Sequence, residues 1–198
     1  DLGAGTALSL RENSPFDYEA NMEIFIAKNL PEPDKRDGSL DTARIEEICA
    51  HCIGAMLAGG TLILCTSHEI CRALAAGLRE RLRGTGREIL VQGEEHSRQE
   101  LVRRFIRDGN AVLVGTNSFW TGVDVPGAAL SQLVVTRLPF ANPKEPLVEA
   151  RGEWIRENGG SPFFEMSLPD AVLQFRQGIG RLIRKSDDRG RLVLLDSR

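Results

Sequence analysis

The sequence predicts an α/β fold, a mostly parallel sheet with helices on both faces. Three features point there. Short runs such as Thr61-Leu-Ile-Leu-Cys65, Ala111-Val-Leu-Val114 and Gln132-Leu-Val-Val135 are apolar throughout rather than alternating, as strands covered on both faces are. Between them lie stretches with apolar residues at helical spacing. The order is strand, helix, strand, helix along most of the chain, which joins parallel neighbours. At 198 residues the chain suits one domain with a real core.

The elements follow in order. Glu23-Ile-Phe-Ile-Ala27 reads as the first strand and about 39–57 as a helix with the apolar stripe Ile45, Ile48, Cys49, Cys52, Ile53, Met56, Leu57. Thr61–Cys65 is the next strand, followed by a helix from about His68 to Leu82 that Gly84 and Gly86 close. Glu88-Ile-Leu-Val91 is a strand, and Ser97-Arg-Gln-Glu100 is a capping box that opens a helix burying Leu101, Val102 and Phe105. Two further strands, 111–114 and 132–135, precede helices near 146–157 and 169–184, and Arg191-Leu-Val-Leu-Leu195 is the last strand.

Composition excludes several classes. No apolar run approaches the roughly 18 residues of a membrane span, and no basic head precedes an apolar segment as in a signal peptide. A cytoplasmic setting with no membrane partner is the expectation. The net charge is −3 with Lys and Arg dispersed, so nucleic acid binding needs placed donors rather than a basic surface. Cys49 and Cys52 form a C-x-x-C pair that invites a metal or redox reading. Their place on the apolar helical stripe gives the plainer one: core residues, with no metal site.

In such a sheet, ligands bind beyond the carboxyl ends of the strands. Thr66 and Ser67 lie there, fit either to cap the next helix or to offer donors to a phosphate. The loop after Val114 holds Gly115, Gly122 and Gly127 with Thr116, Asn117, Ser118 and Thr121, rich in hydroxyls and amides suited to phosphate. Its Asp124 suits a ribose hydroxyl, because a carboxylate only accepts. Phe119 and Trp120 either pack inward or offer a face to a base. On the last helix Gln177, Arg181 and Arg184 stand at i, i+4 and i+7, one polar stripe beside Gly178 and Gly180. A solvated surface explains such a stripe. The two glycines, each costing about 1 kcal/mol in a helix, favour a close approach to the backbone instead.

No G-x-x-x-x-G-K-[ST] occurs, and no strand ends in a paired Asp-Glu for magnesium. The chain alone therefore holds neither ATP nor its metal and is expected to be inactive in hydrolysis. Asp1-Leu-Gly3 carries no Met and no capping signal and reads as a cut end.

These segments together resemble the second RecA-like domain of superfamily 2 helicases of the DinG branch, related to XPD. Ser14-Pro-Phe-Asp-Tyr18 resembles the segment after motif III, and Leu62-Ile-Leu-Cys-Thr-Ser67 resembles motif IV. Phe119-Trp-Thr-Gly-Val-Asp-Val-Pro-Gly127 resembles motif V, and Gln177-Gly-Ile-Gly-Arg-Leu-Ile-Arg184 resembles motif VI. Ser167-Leu-Pro-Asp-Ala171 and Leu195-Asp-Ser-Arg198 fit as well. The resemblance covers nearly all of residues 1–198, with Walker A, Walker B and motif III outside them.

The resemblance implies a part of an ATP-dependent 5'–3' DNA helicase. Gln177, Arg181 and Arg184 would reach the terminal phosphate of ATP held, with Mg2+, by a first RecA-like domain. Asp124, Gly122 and Gly180 would contact the nucleotide, and Thr66, Ser67, Thr116, Ser118 and Trp120 would meet single-stranded DNA. Relatives often carry an iron-sulfur cluster, but on cysteines of the first domain, so the four cysteines here are not its ligands. A competing reading is a non-catalytic module of the same fold that binds nucleic acid or a partner protein. The intact arginines argue against it.

Overall fold

The computed structural model describes residues 15–28, 30, 42–54, 56, 59–119, 125 and 129–196. A single helical turn, α1 (Tyr18–Asn21), capped by Asp17, leads into strand β1 (Met22–Ile26). Then come α2 (Thr42–Gly54), β2 (Thr61–Cys65), α3 (His68–Arg81), β3 (Ile89–Val91), α4 (Arg98–Asp108) and β4 (Val112–Thr116). The chain continues through β5 (Gln132–Val135), α5 (Pro146–Glu157), α6 (Leu168–Ile179) and β6 (Gly190–Leu194). The six strands form one sheet in the order β1-β6-β5-β2-β4-β3, and every neighbouring pair is parallel.

The continuous apolar runs explain the central strands. In β2, Leu62 and Leu64 point to one face and Ile63 and Cys65 to the other, and all four are buried. One face packs Ile63, Cys65, Val114, Val134 and Val193 against α2 and α3, through Ile48, Cys49, Cys52, Cys71, Leu74 and Leu78. The other packs Leu62, Leu64, Leu113, Leu133 and Leu192 against Leu101 and Phe105 of α4. All four cysteines are buried thiols, so the helical-stripe reading of Cys49 and Cys52 holds. Burial pushes the Cys49 thiol up, and raises that of Cys52 still further.

Local signals act as expected at the helix starts. Ser97 Oγ accepts from the amide of Glu100 at 3.3 Å and Ser67 Oγ from that of Ile70 at 3.3 Å. Gly109 closes α4 at a positive φ of 69°.

The last helix departs from expectation. Instead of running to Arg184, α6 stops at Ile179. The amide of Gly180 still bonds Arg176 O at 3.0 Å, but those of Arg181 and Leu182 turn back only three residues, to Gly178 O and Ile179 O. Gly178 and Gly180 weaken the helix there. The tighter turn carries Leu182 and Ile183 into the core at 0% and 1% exposure.

Candidate functional site

Two groups of predicted residues are described. The first lies along the carboxyl rim of the sheet. Cys65 pairs in register with Thr116, so the chain leaves β2 and β4 side by side, with Thr66 exposed and Thr116 half-buried. The 3-10 turn Asn117–Phe119 follows directly. Its hydroxyls are not loose. The amide and the hydroxyl of Thr116 both donate to Gln92 Oε1, at 2.7 and 3.0 Å, and Gln92 Nε2 donates to Ser118 Oγ at 2.8 Å. In the loop read as rich in hydroxyls and amides suited to phosphate, the Thr116 amide and hydroxyl are therefore engaged by Gln92, a residue that the motif reading passed over. A signal existed: Gln92 follows β3 as Thr66 follows β2.

Phe119 is fully buried, and a Cβ at Gly115 would sit 2.5 Å from its ring, so Gly115 is what admits it. Of the two orientations open to the aromatic pair, Phe119 takes the inward one. Trp120, Gly122 and Asp124 lie outside the described residues.

The second group is the turn after α6. Gln177 is exposed on the last turn of the helix, while Arg181 and Arg184 are half-buried in the turn beyond it, so the three do not share one helical face. Gly180 serves as the cap of α6, with only ordinary contacts around an added Cβ. Asp188 shapes the turn: its Oδ2 accepts from the amides of Arg184 at 2.8 Å and Lys185 at 2.9 Å. From the amino-terminal segment, Asn21 Nδ2 donates to Ser186 O at 3.0 Å.

The core joins the two segments. Phe119 and Val125 pack in the same buried cluster as Leu182 and Ile183. Across this junction Arg98, the first residue of α4, lays its guanidinium over the Phe119 ring at 5.5 Å from the centroid. Burial holds the Arg181 guanidinium below its ordinary range, and repulsion from Arg98 adds to the effect. Two like charges held within reach of one another favour an anion between them. Cation binding finds no such basis: among the described residues, no three His, Cys, Asp or Glu gather as a metal site. Guanidinium chemistry fits phosphate.

Comparison with known proteins agrees with this architecture. The Xpd4 structure from S. tokodaii superposes with a TM-score of 0.62 at 18% identity, over 90% of this chain and 34% of that one, a likeness of RecA-like helicase fold. The helicase C-terminal domain family matches residues 51–198, and the chain belongs to that family. It is 42% identical over 198 residues to the ATP-dependent DNA helicase YoaA of Escherichia coli, covering 100% of this chain and 30% of the relative. It is also 38% identical over 194 residues to the 3'-5' exonuclease DinG of Bacillus subtilis, covering 96% of this chain and 20% of that protein. The chain thus spans less than a third of these relatives' length. No helix among the described residues is long and apolar enough to cross a membrane.

Proposed function

We propose that this chain is the carboxy-terminal motor domain of an ATP-dependent 5'–3' DNA helicase of the DinG and XPD branch. Arg181, Arg184 and Gln177 face the terminal phosphate of ATP, which a first RecA-like domain holds together with Mg2+. Asp124, Gly122 and Gly180 border the nucleotide. Thr66, Ser67, Thr116, Ser118 and Trp120 meet the backbone of single-stranded DNA. Any iron-sulfur cluster belongs to the first domain.

The observation that carries this reading is the junction itself. Motif V and motif VI share one buried cluster, and the half-buried cation Arg181 stands beside a second cation, Arg98. A phosphoryl group in transfer spreads charge over its equatorial oxygens, and guanidiniums held in place by the fold stabilise that charge with little reorganisation. The helix break adds to the support, because a turn can aim Arg181 and Arg184 out of the sheet layer as a straight helix would not.

Arg181→Ala and Arg184→Ala in the full-length protein are the test. Each should lower DNA-stimulated ATP turnover by about 10³ to 10⁵. Lysine should rescue poorly, since it lacks the planar fork, and nucleotide-free DNA affinity should stay near wild type. Near-normal hydrolysis in both variants would defeat the reading in favour of a non-catalytic module.

A further inference from the structure

The loop between β3 and α4 belongs to none of the motifs, yet it is braced at several points. Gln92 at its start holds Thr116 and Ser118. Glu94 takes two hydrogen bonds from Arg79 of α3, at 3.0 and 2.5 Å. His96 and Glu88 both meet the guanidinium of Arg104 in α4, and Ser97 caps the helix that Arg98 begins. Arg98 therefore leaves a backbone fastened to α3, to α4 and to the end of β4.

The Arg98 guanidinium lies over the ring of Phe119, 5.5 Å from its centroid. Phe119 is fully buried and shares its cluster with Leu182 and Ile183, the two residues that follow Arg181. The aromatic face at this junction thus already carries a cation. Arg181, half-buried at the start of the same stretch, feels that cation: burial first, and then repulsion from Arg98, hold its guanidinium below the ordinary range. Two guanidiniums cannot share one ring face, and a charge anchored there favours the other staying away from it.

We propose that Arg98 is a positioning residue for Arg181: by occupying the face of Phe119 and repelling a second guanidinium, it keeps Arg181 extended from the core toward the phosphate it serves. The inference rests on the reading of Arg181 given above and adds a residue from outside motifs IV, V and VI. Arg98 does not touch the phosphate in this scheme. Its charge acts from a fixed point over the core, so Arg181 has little reorganising to do when ATP arrives. Without that charge the Phe119 face is open, and a half-buried guanidinium nearby is drawn to stack on it rather than project from the turn.

ATP hydrolysis is measured on the full-length protein saturated with single-stranded DNA, by single turnover where rates are slow. Arg98→Met keeps much of the side chain's length and removes its charge. It should lower kcat by about 10- to 100-fold, since misplacing a reacting group by about an ångström costs on the order of 10². KM for ATP and the melting temperature should stay near wild type. Arg98→Lys keeps the charge and should retain most of the rate. In an Arg181→Ala background Arg98→Met should bring no further loss, because its effect passes through Arg181. A further loss in that background would make Arg98 a phosphate ligand in its own right, and a lysine variant as slow as methionine would remove repulsion. A fall in melting temperature with kcat kept would leave only a packing role. Each of these overturns the proposal, as does an unchanged kcat in Arg98→Met. Near-normal hydrolysis by Arg181→Ala alone is a separate failure, since it removes the phosphate reading beneath the proposal.

Discussion

Thr116 gives two hydrogen bonds to a single atom, its amide and its hydroxyl both reaching Gln92 Oε1. Because β3 and β4 are paired, this glutamine fastens the residues just ahead of Phe119 to the strand beside them.

Replacing Gln92 separates bracing from contact. Gln92→Ala should cost about 1 kcal/mol in denaturant unfolding, because the Thr116 amide loses its acceptor. Single-stranded DNA affinity should fall as the hydroxyls of Thr116 and Ser118 lose their fixed positions. Gln92→Glu keeps both bonds from Thr116 but cannot donate to Ser118, and it adds a negative charge to the rim. Its stability should lie nearer wild type, yet its DNA affinity should fall below that of the alanine variant. Equal DNA affinities in all three proteins would remove this rim from the interface.

Asp188 holds the turn that carries Arg184. Removing its carboxylate in Asp188→Ala frees two amides whose charge-assisted bonds are worth about 1.5–3 kcal/mol. Turnover should drop by about ten- to a hundredfold, with DNA affinity unchanged. Asp188→Asn retains an acceptor oxygen and should recover part of the rate. Steady-state ATPase measurements on both variants check this, and an unaltered rate in the alanine variant would mean that the turn is held by other contacts.

Gly115→Ala examines packing beneath the site. The new methyl would press on the buried Phe119 ring, with Gln92 Oε1 3.2 Å away on another side. Phe119 has no room to retreat, so the substitution should destabilise the protein by about 1–3 kcal/mol in equilibrium unfolding.

Much of this architecture was legible in the sequence because the deciding forces were local. The runs Leu62-Ile-Leu64 and Leu133-Val-Val135 have no polar face, so they had to be central strands, and Ser67 and Ser97 mark their helices by capping. The end of α6 was not legible, because it depends on whether burying Leu182 and Ile183 outweighs a few helical hydrogen bonds, a matter of tertiary packing. Gln92 escaped for a related reason. Its partners lie 24 and 26 residues away, and only strand pairing brings them within reach. Arg98 looks in sequence like one more charged residue in the first turn of a helix, and its place over Phe119 follows from how α4 docks.

The sheet order sets a schedule for making the protein. Among the described residues the sheet partner of Met22–Ile26 of β1 is Gly190–Leu194 of β6, with the bridge between Glu23 and Arg191 168 residues apart in the chain. At ordinary rates of synthesis β1 therefore waits roughly ten to thirty seconds for this neighbour. Through that interval Ile24, Phe25 and Ile26 form an unprotected sticky edge, and in the finished sheet they are still half exposed. A ribosome stalled between β5 and β6 would release a chain whose central strands can pair while β1 is still seeking any edge it can find.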